Sequence, residues 1–473
     1  MTSLKTKLQG SARALSWLVA VSFFMQMLDG TILNTALPAI ADSMGENPLR
    51  MQSVVISYML TVAFLIPISG WLADFFGAKR VFIGAIFIFT LGSLFCALSQ
   101  TLWQLVAARI VQGVGGALMV PVGRLAVMRV YPKDQLVKAL NFITIPGLIG
   151  PVVGPTLGGI IVYYVGWHWI FLINIPIGLI CIFFTYFTMP KVKIDTRPRF
   201  DWIGYLLFSG AVVLISLSLG SVEGANVGPQ TAAIMFIIGA FFLLAYARSA
   251  IANPWKSLFK PRLFFGRSFT VGIIANVFIR FGGGAIPFLM PLFFQTALGY
   301  SALKSGLTLI PMGITSILAK TIVERALNMF GYKRFMIYNT FIIGFIICSF
   351  ALVGGGTPYV VILLALAVLG VFNSMQFTAL NTLTLITVPN RDLSQANSLL
   401  SAVMQVAMSL GVGLATAALA FFGGHNADIE SSHIMHSFHC TYLFVGIISM
   451  SGSLLFMIPF SKNIVDRPSS LKK

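Results

Sequence analysis

The sequence predicts an all-α integral membrane protein, and three observations support this fold class. The composition is too apolar for a domain that folds in water. The apolar stretches have the length of membrane-spanning helices. The basic residues are confined almost entirely to alternate loops, as in inner-membrane proteins. Together these observations predict fourteen spans, arranged as two six-helix bundles plus two extra transmembrane helices, with both termini in the cytoplasm.

The composition points to a bilayer as the solvent. Of the 473 residues, 57% are apolar and only 9% are charged, whereas a soluble globular domain carries about 25% charged residues. In hydrocarbon, only helices and closed barrels can satisfy their own backbone hydrogen bonds. The apolar stretches reach about 20 residues, which a spanning helix requires, and they lack the alternation of barrel strands. We therefore expect helices.

Apolar segments of spanning length can be assigned along the whole chain. They cover residues 14–38, 53–75, 80–98, 102–128, 139–163, 168–189, 202–220, 231–248, 268–297, 303–323, 335–353, 358–386, 395–422 and 438–460. With the N-terminus inside, 25 of the 31 Lys and Arg residues fall on cytoplasmic loops and termini, two on the opposite side and four within spans. This distribution satisfies the positive-inside rule. The net charge of +18 is thus explained by topology and by contact with lipid headgroups, and it does not indicate a nucleic-acid partner.

Two basic, proline-containing loops divide the chain. They bracket the seventh and eighth spans and leave six spans before and six after. We therefore expect an N-terminal six-helix bundle over residues 1–190, a linker with two additional transmembrane helices over 191–262, and a C-terminal six-helix bundle over 263–473.

A short internal echo indicates that the two bundles are related. Gly77-Ala-Lys-Arg80 follows the second span, and Gly331-Tyr-Lys-Arg334 follows the second span of the later bundle. Repeated halves around a site near the bilayer midplane are a common transporter architecture.

The fifth span carries a regular pattern of small residues. Gly150, Gly154 and Gly158 lie at intervals of four and therefore share one helical face. Small residues on one face allow the backbone of a neighbouring helix to approach closely, while Pro151 and Pro155 interrupt the helical hydrogen bonds and permit bending. Tight helix packing alone also explains this pattern.

Three further motifs accompany this span. They lie at residues 28–38 in the first span, 70–80 in the following cytoplasmic loop, and 109–117 in the fourth span. Together and in this order, the four motifs resemble the signature set of the major facilitator superfamily, and more narrowly its fourteen-spanner drug:proton antiporters. The resemblance covers nearly the whole chain. It implies a multi-pass transporter of the bacterial inner membrane that exports amphiphilic drugs or toxic compounds in exchange for protons, by alternating access to a midplane cavity.

Asp29 is the acid that lies deepest within a span. An ionisable group inside the hydrocarbon is costly and by default suggests function. Burial favours the neutral carboxylic acid and a nearby cation favours the carboxylate, so this residue can take up and release a proton as access alternates. The resemblance implies the same role and adds Arg109 of the fourth span. The alternative is a structural ion pair with an interior arginine.

The loop after the second span is the predicted cytoplasmic gate, and the resemblance implies this role for Asp74, Lys79 and Arg80. The loop departs from the family pattern at Phe75 and Ala78, where basic residues are common. We therefore expect a gating network that has fewer charged members, or one that Arg129 or Lys138 completes. The resemblance assigns the opening and closing of the opposite side to the glycine face of the fifth span. A loop that only anchors the protein at the membrane edge remains the alternative.

Arg124 and Arg280 also lie too deep to reach the interface easily, whereas Lys320 lies near the end of its span. Three buried arginines against one buried aspartate leave an excess of positive charge. This excess could equally attract an anionic or zwitterionic substrate.

Polar side chains on otherwise apolar spans mark candidate positions in the substrate cavity. They are Gln26, Asn34, Gln112, Asn141, Asn276, Gln295, Asn373, Gln376, Asn381, Asn397 and Gln405. Phe288, Met290 and Phe377 could supply an adaptable apolar wall. Hydrogen bonding between helices is the alternative role for each polar residue.

Two other functions remain open at this point. One is a dedicated exporter of a single metabolite, including an anionic one, and the other is a membrane sensor that transports nothing. We expect no enzymatic activity, no metal and no cofactor, with protons as the coupling ion. The sequence contains no Walker-type phosphate loop, so ATP hydrolysis within this chain is unsupported. The predicted partners are an amphiphilic small molecule and the lipid bilayer, and the predicted state is a monomer.

Overall fold

The computed structural model describes residues 2–131, 133–189, 200–220, 229–254, 256–385, 388–389, 392–423 and 431–457. Within these residues all regular secondary structure is helical. The α-helices are α1 Thr2–Met44, α2 Gln52–Leu72, α3 Ala78–Ala97, α4 Leu102–Val130, α5 Lys133–Tyr164, α6 Trp169–Leu172, α7 Asn174–Thr188, α8 Trp202–Gly220, α9 Pro229–Ala252, α10 Arg267–Leu292, α11 Ala302–Thr308, α12 Ile310–Leu318, α13 Val323–Ser349, α14 Tyr359–Leu385, α15 Leu393–Gly423 and α16 Ser431–Ser451. The predicted all-α class is confirmed.

In the described part of the chain, eleven helical segments are long and apolar enough to cross a membrane. One of them, Pro48–Ala97, contains both α2 and α3, and two shorter apolar helices cover Ile149–Tyr164 and Trp202–Ser218. The total of fourteen spans, the cytoplasmic termini and the domain boundaries at 190 and 262 stay predictions. Below, α1–α7 are called the N-terminal half, α8 and α9 the extra pair, and α10–α16 the C-terminal half.

The two glycines of the internal echo have the same backbone geometry. Gly77 is the last residue of the π-helical turn Ala73–Gly77 and has φ of 92°. Gly331 interrupts α13 with φ of 70°. Side chains with a Cβ rarely adopt these angles, so glycine is the residue that allows each change of direction. The repeated motif therefore marks an equivalent break in each half.

The two halves pack together at one end of the bundle. This outer end carries the loops at 45–47, 98–101 and 353–358, and the charge distribution predicts that it faces away from the cytoplasm. A single hydrophobic cluster there contains Ile32 and Val54 of the N-terminal half together with Phe288 and Val412 of the C-terminal half. At the opposite, inner end, the halves have separate clusters. The structure is therefore closed outside and divided inside.

Helix α5 is the central element of the outer closure. Its glycine face lies on α1, where a Cβ at Gly150 would come within 2.8 Å of the backbone nitrogen of Leu28 and one at Gly158 within 2.6 Å of the carbonyl oxygen of Ile32. Its other face lies on α11 and α12. There the hydroxyl of Thr156 donates to the carbonyl oxygen of Gly306 at 3.1 Å. The predicted close approach on the fifth span is thus observed, with α1 as the neighbour.

The extra pair lies beside the line where the halves meet. Helix α8 packs against α2 of the N-terminal half and α15 of the C-terminal half. On the α2 side, the hydroxyl of Ser209 donates to the carbonyl oxygen of Phe64 at 3.2 Å, and the ring of Tyr205 lies 5.3 Å from that of Phe64. On the α15 side, Phe208 is buried in one cluster with Leu400. The pair therefore contacts both halves.

Charge-assisted hydrogen bonds hold the segment that follows the extra pair against the start of α15. The Asp392 carboxylate accepts hydrogen bonds from Arg262 at 2.7 Å and from Lys260 at 3.0 Å. These charge-assisted bonds hold the pKa of Asp392 below its ordinary value, because they stabilise the carboxylate. The backbone nitrogen of Leu258 also donates to Asp201, just before α8, at 3.1 Å.

The outer closure predicts the effect of enlarging one glycine. A Cβ at Gly306 would lie 2.5 Å from the carbonyl oxygen of Pro155, and overpacking of this kind costs about 1–3 kcal/mol. Because only the closed arrangement contains this contact, Gly306→Ala should favour opening at the outer end. Spin labels at Ser43, at the outer end of α1, and at Gly355, on an outer loop, should report a larger fraction of long distances in nanodiscs.

The matched control is Gly283→Ala, since nothing lies within 4 Å of a Cβ built at Gly283. It should leave the distance distribution of the labels unchanged. If Gly306→Ala gives the same distribution as this control, the contact does not restrict opening.

Candidate functional site

Asp29 and Arg109 form a buried ion pair in the N-terminal half. Nη1 of Arg109 on α4 donates to Oδ2 of Asp29 on α1 at 2.6 Å, and the two side chains are 2% and 1% exposed. Removing two charges from water costs several kcal/mol each, so such a pair persists only when its remaining hydrogen-bonding groups are satisfied. The structure thus brings together the two residues predicted for proton coupling.

Two amides complete the surroundings of the carboxylate. Oδ1 of Asp29 accepts from Nε2 of Gln112 at 2.8 Å and from Nδ2 of Asn174 at 3.0 Å. Gln112 also accepts a hydrogen bond from Arg109 at 2.6 Å, so it bridges both members of the pair. The carboxylate is therefore held by donors from α4 and α7.

Ser93 on α3 anchors the two amides. Its hydroxyl oxygen accepts from Asn174 at 3.0 Å and from Gln112 at 3.2 Å, and its proton is donated to the carbonyl oxygen of Phe171 at 2.9 Å. The network therefore connects α1, α3, α4, α6 and α7. Hydrogen bonds between helices of this kind fix the relative position of the helices.

The guanidinium of Arg109 is enclosed by α2. It lies 4.2 Å from the ring centroid of Tyr58, and its Nε donates to the carbonyl oxygen of Val54 at 3.4 Å. A cation over an aromatic face gains more stabilisation when it is desolvated. Arg109 therefore keeps neutral partners even when Asp29 is not charged.

Glycines of the fourth-span motif bring these helices close enough for the network. A Cβ at Gly116 would lie 2.5 Å from the hydroxyl of Tyr58, and one at Gly113 would lie 2.8 Å from Cβ of Thr61 on α2. On the α3 side, a Cβ at Gly92 would meet the Cα of Gln112 at 2.5 Å. The Gly-rich sequence beside Arg109 is thus a requirement of the packing around the ion pair.

The predicted cytoplasmic gate forms contacts within the N-terminal half. Asp74 pairs with Arg129 at the end of α4, which is one of the two partners expected from the sequence. Lys79 donates to the carbonyl oxygen of Tyr186 on α7 at 2.6 Å, and Arg80 is exposed. Asp74 and Lys79 therefore link the turn after α2 to α4 and the start of α3 to α7 at the inner end. The role of all three residues in gating stays a prediction.

The predicted cavity residues occupy several different environments. Gln26 and Asn34 are buried on α1, and their side-chain oxygens have no partner among the described residues. Gln376 bridges α13 and α14, since it donates to Thr340 at 2.6 Å and accepts from Asn339 at 2.5 Å. Gln376 therefore fills the alternative role of an interhelical contact.

The residues predicted to form the apolar wall also lie in different environments. Phe288 and Met290 differ from the prediction, because they are 1% and 0% exposed within the outer cluster that joins the halves. Phe377, in contrast, is 42% exposed. Arg124 is half-buried, with its guanidinium 5.3 Å from the ring of Phe23. The side chain of Asn141 lies outside the described residues.

Sequence reasoning missed three members of the network. Asn174 is an amide on an apolar span, so the criterion that selected Gln112 could have found it. Ser93 and Tyr58 carry no such signal, because small hydroxyl residues and tyrosines occur throughout the spans. Their roles depend on which helix faces meet.

Two helical halves that meet at one end, with a buried charged network inside one of them, are typical of alternating-access secondary transporters. The comparison with known proteins then identifies the family. The chain belongs to the Major Facilitator Superfamily, whose family model matches residues 19–412.

Several known proteins are similar over nearly the full length. MdtD of Salmonella paratyphi B (strain ATCC BAA-1250 / SPB7), a multidrug resistance protein by name, is 45% identical over 454 residues, which cover 95% of this chain and 96% of the relative. MdtD of Serratia proteamaculans (strain 568) is 46% identical over 440 residues, which cover 93% and 92%. Among solved structures, a D-xylose-proton symporter has a TM-score of 0.67 at 14% identity, covering 95% of this chain and 98% of that one. The transporter PepTSo has a TM-score of 0.69 at 13% identity, covering 95% and 99%. These two structures support the fold alone.

The ion pair predicts a non-additive effect on stability. Asp29→Asn leaves the guanidinium of Arg109 buried without its counter-charge, and breaking a buried pair in this way costs about 3–5 kcal/mol. Arg109→Gln leaves the opposite charge unpaired. The double variant should therefore be less destabilised than the sum of the single variants, which thermal unfolding of the purified protein in one detergent can measure. Additive losses would mean that the two charges do not stabilise each other.

Proposed function

We propose that this protein exports amphiphilic drugs across the bacterial inner membrane by proton antiport. The observation that carries the proposal is the ion pair of Asp29 and Arg109, enclosed in a hydrogen-bonded network in the half that forms one side of the transport path. The names of the relatives, which describe multidrug resistance, agree with this direction and substrate class.

The chemistry of coupling follows from the partners of the carboxylate. A proton that binds Asp29 replaces the charge that Arg109 supplies, so protonation and ion pairing exclude each other at this carboxylate. Arg109 can then remain with Gln112, the ring of Tyr58 and the carbonyl oxygen of Val54. The proton is released when the pair forms again.

Helix α5 connects the protonation of Asp29 to the opening of the outer end. Asp29 lies on α1 between Leu28 and Gly30, directly at the contact with the glycine face of α5. The opposite face of α5 closes the outer end against α11 and α12. A shift of α1 on breaking the ion pair is therefore transmitted to the outer closure through a tightly packed contact. The present arrangement, closed outside and divided inside, corresponds to the state in which the pair is formed.

The direct test follows proton movement in proteoliposomes with an imposed proton gradient. Amphiphilic compounds of both charges are added while the lumenal pH is recorded. Wild-type protein should move protons on addition of a transported compound, and Asp29→Asn should abolish this flux because the amide cannot carry a proton. Exchange of the compound without net proton movement should persist in the variant.

Asp42→Asn provides the matched control, since Asp42 lies on the same helix but is exposed at its outer end. It should keep proton flux at the wild-type rate. Undiminished flux in Asp29→Asn would assign the coupling to another group, and silence of the wild type with every compound would favour the sensor function.

A further inference from the structure

Arg280 is a buried cation in the C-terminal half with neutral partners. It is 8% exposed on α10. Its Nε donates to Oδ1 of Asn276 at 3.0 Å and its Nη2 to Oδ1 of Asn381 at 3.5 Å. Its guanidinium carbon lies 4.6 Å from the ring centroid of Phe377 on α14. A guanidinium has five N–H donors, and these bonds do not engage Nη1.

The charge of Arg280 is not compensated within the described residues. The described ion pairs involve other cations, and Arg109, the buried arginine of the N-terminal half, has Asp29 at 2.6 Å. A buried charge without a counter-charge is costly. A cation that is kept in such a position is thus suited to receive an anion from outside the protein.

Phe377 indicates which way this site faces. Leu364 and Val368 are exposed on the outward, apolar face of α14. Phe377 follows Val368 by nine residues, about two and a half helical turns, so it lies on the opposite face. Its 42% exposure is therefore exposure to the interior of the bundle. Asn373 and Asn381, four residues to either side, lie on the same stripe and are partly exposed.

A second cation lies beside the same ring. Nζ of Lys320, just after α12, is 5.8 Å from the ring centroid of Phe377, and this side chain is also partly exposed. Two positive charges from α10 and the α12 end thus meet at one aromatic side chain. Their fields add at this position and attract an anion, while the ring offers an apolar surface for stacking.

We propose that Arg280, Lys320 and Asn381 bind the carboxylate of an amphiphilic substrate whose apolar body stacks on Phe377. The proposal deepens the proposed function, on which it rests, by naming the substrate class. A planar carboxylate fits the two-pronged donor geometry of the arginine, and the lysine provides the second charge. The site lies in the C-terminal half, apart from the Asp29 network of the N-terminal half.

Binding to the purified protein tests the site independently of transport. The probes are 2-naphthoate, the neutral 2-naphthamide and the cationic 2-naphthylmethylammonium, which share one apolar body. They are measured by calorimetry in a neutral detergent without added anionic lipid, so that lipid headgroups cannot occupy the site. Wild type should bind the naphthoate at least about tenfold more tightly than either of the other two probes.

The variants assign this preference to the named residues. Arg280→Gln should weaken naphthoate binding by about tenfold or more and leave naphthamide binding unchanged, whereas Arg280→Lys should restore part of the loss. Lys320→Gln should have a smaller effect in the same direction, and it serves as the second variant if Arg280→Gln does not fold. Arg248→Gln, which removes a charge from an exposed position on α9, should bind all three probes as wild type does.

The proposal would be overturned by equal affinity for the three probes, by preference for the ammonium, or by naphthoate affinity unchanged in both Arg280→Gln and Lys320→Gln. Absence of naphthoate binding to wild type would do the same. Binding is measured at equilibrium, without a proton gradient. A failure of proton antiport would therefore appear in the flux assay and leave this binding result intact.

Discussion

The requirement that the carboxylate of Asp29 be fully satisfied in a dry interior determines much of the N-terminal half. Three donors reach it from two helices, and each of them has a further partner. These contacts need backbones that approach closely, which explains the glycines of α4 and Gly92 of α3. A larger residue at any of these glycines would separate the donors from the acceptor, and a partly satisfied network is less stable than an apolar core.

The same requirement connects the buried charge to the closure of the bundle. Helix α1 carries Asp29 and also forms the surface on which the glycine face of α5 lies. Because close-packed interfaces transmit displacement and do not absorb it, α1 cannot shift within the network without moving α5. The outer contact of α5 with α11 and α12 then responds. A network that is complete in one arrangement and broken in the other provides the two discrete states that alternating access needs.

How much of this the sequence predicts depends on how rare each signal is. Charged residues are scarce in membrane spans, so Asp29 and Arg109 could be selected without knowledge of packing. Helical class and the glycine face of α5 follow from composition and spacing. The burial of Phe288 and Met290 in the outer cluster could not be predicted, because the same apolar residues serve a cavity wall or a core equally well. Ser93 and Tyr58 were missed for the same reason, as their roles arise only where the faces of different helices meet.

The buried arginines Arg109 and Arg280, one in each half, differ in whether their charge is compensated. This difference constrains where a proton and a charged substrate can bind. In the N-terminal half, Arg109 is neutralised internally, so only a small cation such as a proton can compete for its partner. In the C-terminal half, the described partners of Arg280 are amide oxygens and an aromatic face, which leave a net positive charge. An anion that binds there provides the negative counter-charge that the described partners of Arg280 lack. Under the proposed mechanism, the coupling ion binds in one half and the charged end of the substrate in the other, and the outer contact of α5 joins the two.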